Sequence, residues 1–201
     1  DPESAWELHD ATFEKNLRLL NDRHFDRLHY TSANGTDLWV GMTDRHVWEG
    51  GSSVTPEGRE FSPNIPTEEV FTSPDCDRVD GIVYSALPLV LHGNKIDRFW
   101  LRFESGSVVE FDAEVGRDTL ESILETDEGA RRLGEVALIS KNTPICGTGI
   151  LFYDTLYDEN ASCHLALGSA FPECYEGGCD LSAEELRRRG LNKSAAHVDF
   201  M

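Results

Sequence analysis

The residues of this chain best equipped for chemistry crowd into its last third: Asp158, Glu159 and Asn160, then His164, then His197 and Asp199. Groups that hold a metal or move a proton must converge in space, and His197-Val198-Asp199 does so locally. In a strand residues i and i+2 point to the same side, so imidazole and carboxylate project together while Val198 and Phe200 face the other way. A nitrogen donor beside an oxygen donor suits zinc, iron, manganese or cobalt, whereas an all-oxygen set would favour magnesium or calcium. By itself the pattern is more often a partly exposed cross-strand pair, so the spacing leaves both readings open.

The elements that must carry these groups are legible as patterns. From Ser4 to about Leu20 the residues Trp6, Phe13, Leu17 and Leu20 recur at helical spacing behind a Ser4/Glu7 capping box, which predicts an amphipathic helix. Residues 28–31 and 37–42 flank Asn34-Gly35, a strong hairpin signal. Residues 50–74 read as a Gly-, Pro- and Ser-rich connection too long for a plain turn, and such loops are often functional. From Gly81 to Glu114, strand-like runs broken by His92-Gly93-Asn94 and Glu104-Ser105-Gly106 predict an antiparallel meander. A helix over 118–125, another through 130–133, and strands over 135–139 and 149–153 follow. A polar helix from Ser182 to Arg189, closed by Gly190, precedes a last strand at His197. The expected class is therefore α+β, a β-rich mixed domain with an antiparallel meander and flanking helices. Trp6, Trp39, Trp48 and Trp100 read as core packing, and His9, His24, His29, His46 and His92 as surface or packing residues.

A length of 201 residues implies about one domain. Eighteen basic against 37 acidic residues give a net charge of −19, a sign that repels phosphate backbones and anionic headgroups and argues against nucleic acid and membrane partners. The longest nearly apolar stretch, residues 81–91, is far short of the roughly 20 residues of a spanning helix. Five cysteines, odd in number and without a C-x-x-C, fit a reducing cytoplasm. Three N-x-[S/T] triplets, at Asn34, Asn160 and Asn192, carry weight only in a secreted chain. Gly147-Thr148-Gly149 lacks the third glycine and following helix of a dinucleotide loop. The opening Asp1-Pro2-Glu3-Ser4, without an initiator Met, and an end inside a strand lead to the expectation of truncation at both ends.

Several separated blocks share a wider pattern: residues 64–72 (Asn-Ile-Pro-Thr-Glu-Glu-Val-Phe-Thr), 132–137 (Arg-Leu-Gly-Glu-Val-Ala), 156–162 (Leu-Tyr-Asp-Glu-Asn-Ala-Ser), 164–168 (His-Leu-Ala-Leu-Gly) and 197–201 (His-Val-Asp-Phe-Met). In these blocks the chain resembles the metallo-aminopeptidases typified by aminopeptidase T and aminopeptidase S. Members are longer, so the resemblance implies that residues 1–201 are the metal-binding catalytic part of a two-domain protein whose N-terminal domain is absent here. It also implies a homodimer.

Taken alone, Glu69 and Glu135 read as ordinary solvated carboxylates. The resemblance implies that Glu69, Glu135, His164, His197 and Asp199 hold two divalent ions, zinc, cobalt, manganese or magnesium, with Glu159 as an addition to the set. The activity implied is release of one amino acid from a peptide with a free N-terminus, by a hydroxide held between the metals. Glu68 adjoins Glu69 and points the opposite way if the segment is extended, as a general base or as an acceptor behind the ligands. One position departs from the family: where its members carry a tyrosine, seven residues after His164, this chain has Phe171, which cannot donate a hydrogen bond to developing oxyanion charge. Tyr175 is the nearby phenol. Two rival readings stand beside this one: a non-haem iron ring-cleaving dioxygenase using His164, His197 and Asp199 as a two-histidine, one-carboxylate triad, and a metal-binding homologue with weakened catalysis.

Overall fold

The computed structural model describes the backbone of residues 1–201 and the side chains of all but residues 2 and 3. Helix α1 (Pro2–Arg23) buries Phe13 and sets Leu17 and Leu20 against the core, as their spacing predicts. It begins ahead of the predicted cap, so Ser4 lies inside the first turn and its hydroxyl donates to the Asp1 carboxylate at 3.0 Å. The predicted hairpin is formed by β1 (Arg27–Thr31) and β2 (Asp37–Met42), with Thr31 opposite Asp37. Its turn closes through Gly35, whose φ of 106° lies in the left-handed region that favours glycine.

The connection over 50–74 is more structured than its composition implies. A two-stranded ribbon, β3 (Ser53–Val54) and β4 (Glu60–Phe61), precedes β5 (Glu69–Thr72), a full member of a sheet. Then β6 (Pro74–Tyr84), β7 (Leu89–Leu91), β8 (Asn94–Glu104) and β9 (Ser107–Val115) run as the expected antiparallel meander. Together with the hairpin they make a six-stranded sheet in the order β1-β2-β6-β8-β7, with β9 on β8.

Helix α2 (Arg117–Leu124) buries Leu120, Ile123 and Leu124, and a single 3-10 turn at Glu128–Arg131 stands where a further helix was predicted. After β10 (Leu133–Ile139) come two short helices, α3 (Pro144–Thr148) and α4 (Thr155–Glu159), then β11 (His164–Gly168). The strand predicted over 149–153 does not form. Gly149 ends α3 in a left-handed conformation, and the backbone N–H groups of Phe152 and Asp154 donate to the Asp158 carboxylate, at 2.7 and 3.2 Å, rather than to a neighbouring strand. Helix α5 (Ala183–Arg188) has the capping signal seen in sequence, Ser182 with Glu185, and β12 (His197–Phe200) closes the chain.

A second sheet, antiparallel throughout, has the order β12-β11-β10-β5. Both sheets share one core, with Leu38, Val40, Val79, Phe99, Leu101 and Phe103 from the first and Val70, Val136, Leu165, Leu167, Val198 and Phe200 from the second. Phe99 and Phe200 join the two sheets with ring centroids 5.7 Å apart, a pairing worth about 0.5–1.5 kcal/mol beyond its buried area. Trp48 is buried as predicted. Trp39 is not: it lies on the outer face between the His29 ring (3.9 Å) and the Arg27 guanidinium (4.4 Å), where stacking replaces burial. Among the described residues no helix is long and apolar enough to cross a membrane.

Candidate metal centre

Strand alternation and register decide which side chains meet. Residues directly opposite in an antiparallel pair share a face. Ile139 lies opposite Glu69, Ala137 opposite His164, Glu135 opposite Ala166, Ala166 opposite Asp199 and Gly168 opposite His197. All five candidate ligands of the strands therefore stand on one face of the four-stranded sheet, while Val70, Val136, Leu165, Leu167, Val198 and Phe200 face the core. Ala137, Ala166 and Gly168 carry little or no side chain on the ligand face, which leaves room above them.

Glu135 reaches that face only because the ladder is irregular. Between Leu133, opposite Leu167, and Glu135, opposite Ala166, β10 has one residue more than β11. This bulge at Gly134 lets Leu133 enter the core and Glu135 leave it, although residues two apart would normally share a side. A Cβ on Gly134 would meet the Ser169 and Gly168 carbonyl oxygens at 2.3 and 2.4 Å, so the bulge needs glycine.

The side chains converge closely. His164 Nε2 lies 3.0 Å from Glu69 Oε2 and 3.8 Å from Glu135 Oε1. His197 Nε2 lies 3.1 Å from Glu135 Oε2 and 3.4 Å from Asp199 Oδ1. The two oxygens of Glu135 thus address two different imidazoles. Three sets of donor atoms lie close enough to hold an ion: Glu69, Glu135 and His164; Glu135, His197 and Asp199; and Glu159, His164 and Asp199, the last with α4 supplying Glu159.

Both rings are oriented from behind. His164 Nδ1 lies 3.1 Å from the Glu159 carbonyl and His197 Nδ1 lies 2.9 Å from the Ser169 carbonyl. A carbonyl only accepts, so each Nδ1 carries a proton, and each ring, once its Nε2 proton is lost, turns the Nε2 lone pair to the cluster. Glu69 Oε2 is buried, and its one close polar neighbour is His164 Nε2 at 3.0 Å. A buried carboxylate oxygen among imidazole and carboxylate donors is what a cation satisfies, and the donor set fits a divalent metal.

Without a cation the cluster holds its charge by binding protons. Burial, then the neighbouring Asp199 and Glu69 charges, pushes Glu159 up to about 8, and burial likewise raises Glu135. Burial acts against the imidazolium of His164, but the Glu69 carboxylate and the charges of Glu135 and Asp199 outweigh it and raise this ring to about 9. Asp199 and Glu135 likewise overcome burial at His197 and raise it to about 10. At pH 7 Glu159, His164 and His197 therefore hold protons that a metal must displace. Titrating the metal-free protein with zinc at pH 7, in buffers of different ionisation enthalpy, will show release of about two to three protons per chain, and affinity that climbs with pH. Zero release would remove these residues from the ligand set.

Glu68 lies outside the three donor sets. Its N–H donates to Asn160 Oδ1 at 2.6 Å, and its carboxylate is 3.9 Å from His9 Nε2, with burial raising its proton affinity. Asn160 also donates to the Leu156 carbonyl (2.7 Å), and so ties the start of β5 to α4. Asn160 is fully buried, which excludes it as a surface glycosylation triplet; Asn192, also buried, spends its amide on the Gly129 and Gly168 carbonyls. Phe171 packs against His197 (4.9 Å) and Phe71 (5.5 Å), forming an apolar wall. The Tyr175 hydroxyl is committed to Asp44 at 3.2 Å and does not stand in for a phenol at position 171.

Comparison with known proteins adds the following. The family model described as thermophilic metalloprotease (M29) matches residues 1–201. Aminopeptidase T of Thermus aquaticus is 49% identical over 201 residues, all of this chain and 48% of that protein. Aminopeptidase AmpS of Bacillus subtilis is 51% identical, over all of this chain and 49% of its own length. The chain spans about half the length of the curated relatives it matches. Among solved structures, wild-type AmpT from Thermus thermophilus superposes with a TM-score of 0.93 at 49% identity, covering all of this chain and 49% of that one. A 2,5-dihydroxypyridine dioxygenase from Pseudomonas putida KT2440 superposes with a TM-score of 0.59 at 15% identity, over 92% of this chain and 53% of that one, which shows a shared fold alone.

Proposed function

The chain belongs to the thermophilic metalloprotease family M29, and on that premise we propose that the whole protein is a metal-dependent aminopeptidase whose dinuclear centre lies within residues 1–201. The observation that carries this reading is Glu135, whose two oxygens face imidazoles belonging to different donor sets. Glu69, His164 and one Glu135 oxygen would hold the first ion; His197, Asp199 and the other oxygen would hold the second. Glu159 adds a donor between His164 and Asp199. Charge supports the count: the carboxylates of Glu69, Glu135, Glu159 and Asp199 bring four negative charges, which two divalent cations balance. Mixed nitrogen and oxygen donors suit zinc, cobalt or manganese, with magnesium less well matched.

When bound, such a pair supplies a nucleophile from water near neutral pH and polarises the scissile carbonyl. The chain's own groups do the rest. The net charge of −19 favours approach of the substrate's terminal ammonium, and the Glu159 and Ser169 carbonyls keep both imidazoles turned inward. Glu68, buried enough for its proton affinity to rise, is the group we assign to hold or pass a proton. The five cysteines are all free thiols, which favours a cytoplasmic setting; the homodimer rests on the resemblance to the family.

Metal counting and product analysis on the full-length protein test this reading. The expected result is two divalent ions per chain and stepwise loss of N-terminal residues from a peptide, abolished by acetylating its N-terminus. A single iron with oxygen uptake would favour the dioxygenase reading, but among the described residues no three-donor set contains both His164 and His197.

Phe171 favours slower catalysis within the same reading. Phe171→Tyr places a phenol against His197, and one donor to developing oxyanion charge is worth about 10²–10³ in turnover when well placed. We expect kcat for an aminoacyl chromogen to rise by about tenfold or more with KM little changed. An unchanged kcat would show that this position contributes packing only.

A further inference from the structure

Strand β12 is an edge, and the phase of its hydrogen bonds leaves its outer side open beside the metal ligands. The Gly168 N–H donates to the Arg132 carbonyl (2.8 Å), toward β10, and the Ser169 N–H donates to the Ala196 carbonyl (2.8 Å), toward β12. Because these directions alternate, the backbone groups of residues 196, 198 and 200 point at β11 and those of 197, 199 and 201 point outward. Met201 bears out the phase, since its outward carbonyl accepts from the Ala86 N–H at 2.7 Å. The N–H and C=O groups of His197 and Asp199 find no backbone or side-chain partner among the described residues.

Resting on the aminopeptidase reading, we infer that the substrate's main chain adds as a further strand to the outer edge of β12, hydrogen-bonded to the backbone of His197 and Asp199. These are the same residues whose side chains line the site, so one short strand both offers metal ligands and aligns the peptide. The direction follows from what blocks the edge. At Met201 the Ala86 loop closes it, whereas His197 is exposed. The peptide's amino end therefore sits toward Asp199, and its chain leaves past His197, antiparallel to β12. Pairing through main-chain groups reads extended conformation and not side-chain identity beyond the first residues. Two outward residues span only about 6.8 Å of strand, so affinity gains from peptide length should stop at about four residues.

The test uses the full-length, metal-loaded protein and a pentapeptide whose first amide is reduced and uncleavable. Its residues 3, 4 and 5 are N-methylated one at a time, and binding is measured by calorimetry. Edge pairing predicts a loss of about tenfold, the size of one hydrogen bond, at residue 3 or at residue 4 and not at both, with residue 5 tolerant. Hydrogen exchange should show the outward amides of His197 and Asp199, unlike the ladder-bonded Val198 amide, protected only when peptide is bound. Equal effects at residues 3 and 4, no effect at either, or His197 and Asp199 amides already protected in the free protein would overturn the inference. Cleavage of the parent peptide together with a flat methyl scan removes the edge pairing alone. Absence of residue release from every peptide removes the aminopeptidase reading, and this inference with it.

Discussion

Glu135→Gln will leave the full-length protein folded, take its metal content from two ions to at most one, and lower residue release by about 10³-fold or more. The magnitude follows from losing several kcal/mol of transition-state charge stabilisation at about 1.4 kcal/mol per tenfold. The reasoning is geometric: no other carboxylate in the cluster lies within 4.0 Å of both imidazoles, with Oε1 at 3.8 Å from His164 and Oε2 at 3.1 Å from His197. A glutamine of the same shape keeps the packing and supplies one weak oxygen donor in place of two anionic ones. The variant also has a stability signature that a merely structural residue would not show. Burial raises the proton affinity of Glu135, so its ionised form withdraws stability from the metal-free fold as pH rises above the ordinary glutamate range. The metal-free variant at pH 8 should therefore melt no lower than the metal-free parent. Saturating zinc should raise the parent's Tm by several degrees and the variant's much less, because a ligand at about 100-fold its Kd adds about 2.7 kcal/mol. Two full equivalents of tightly held metal in the variant would sink the bridging assignment.

Gly134→Ala is expected to destabilise the fold by about 1–3 kcal/mol through overpacking, which for a chain of this size lowers Tm by roughly 2–12 °C. The new Cβ meets two backbone carbonyls, those of Gly168 and Ser169, and neither can rotate away as a side-chain tip would. The consequence reaches the site by two routes. If β10 straightens, Glu135 turns toward the core. If β11 yields, the Ser169 carbonyl loses its place against His197 Nδ1, now 2.9 Å away. Metal affinity should fall together with stability, whereas Gly147→Ala, where an added Cβ has open space within 4 Å, should leave both nearly unchanged. Thermal melts with and without zinc on both variants check this; a stable Gly134→Ala that binds zinc normally would show that the bulge is not what presents Glu135.

The α1 helix, the Asn34-Gly35 hairpin, the meander and the Ser182 capping box were legible because each is a local pattern: a periodicity, a turn requirement or a cap that neighbouring residues satisfy among themselves. Local patterns failed where the partner was distant. Residues 149–153 have strand-like composition, but Asp158 takes the amides a ladder would have used. The apolar character of Trp39 says nothing of the Arg27 and His29 that sandwich it on the surface. The Gly- and Pro-rich connection hid β5, whose pairing with β10 is set by residues more than 60 positions away.

By itself the sequence determined the locally coded elements, the acidic balance, and, through the H-x-D spacing, one corner of the candidate site, because those depend on separations of a few residues. The family resemblance implied that Glu69, Glu135, Glu159 and His164 join that corner; only the tertiary structure brings them there, leaves Glu68 outside the three donor sets, and turns the two histidines to different ends of one carboxylate. The physical reason is register: a single bulge at Gly134 and the pairing of four strands choose which side of the sheet each side chain takes. A shift of one residue would have sent the same ligands into the core.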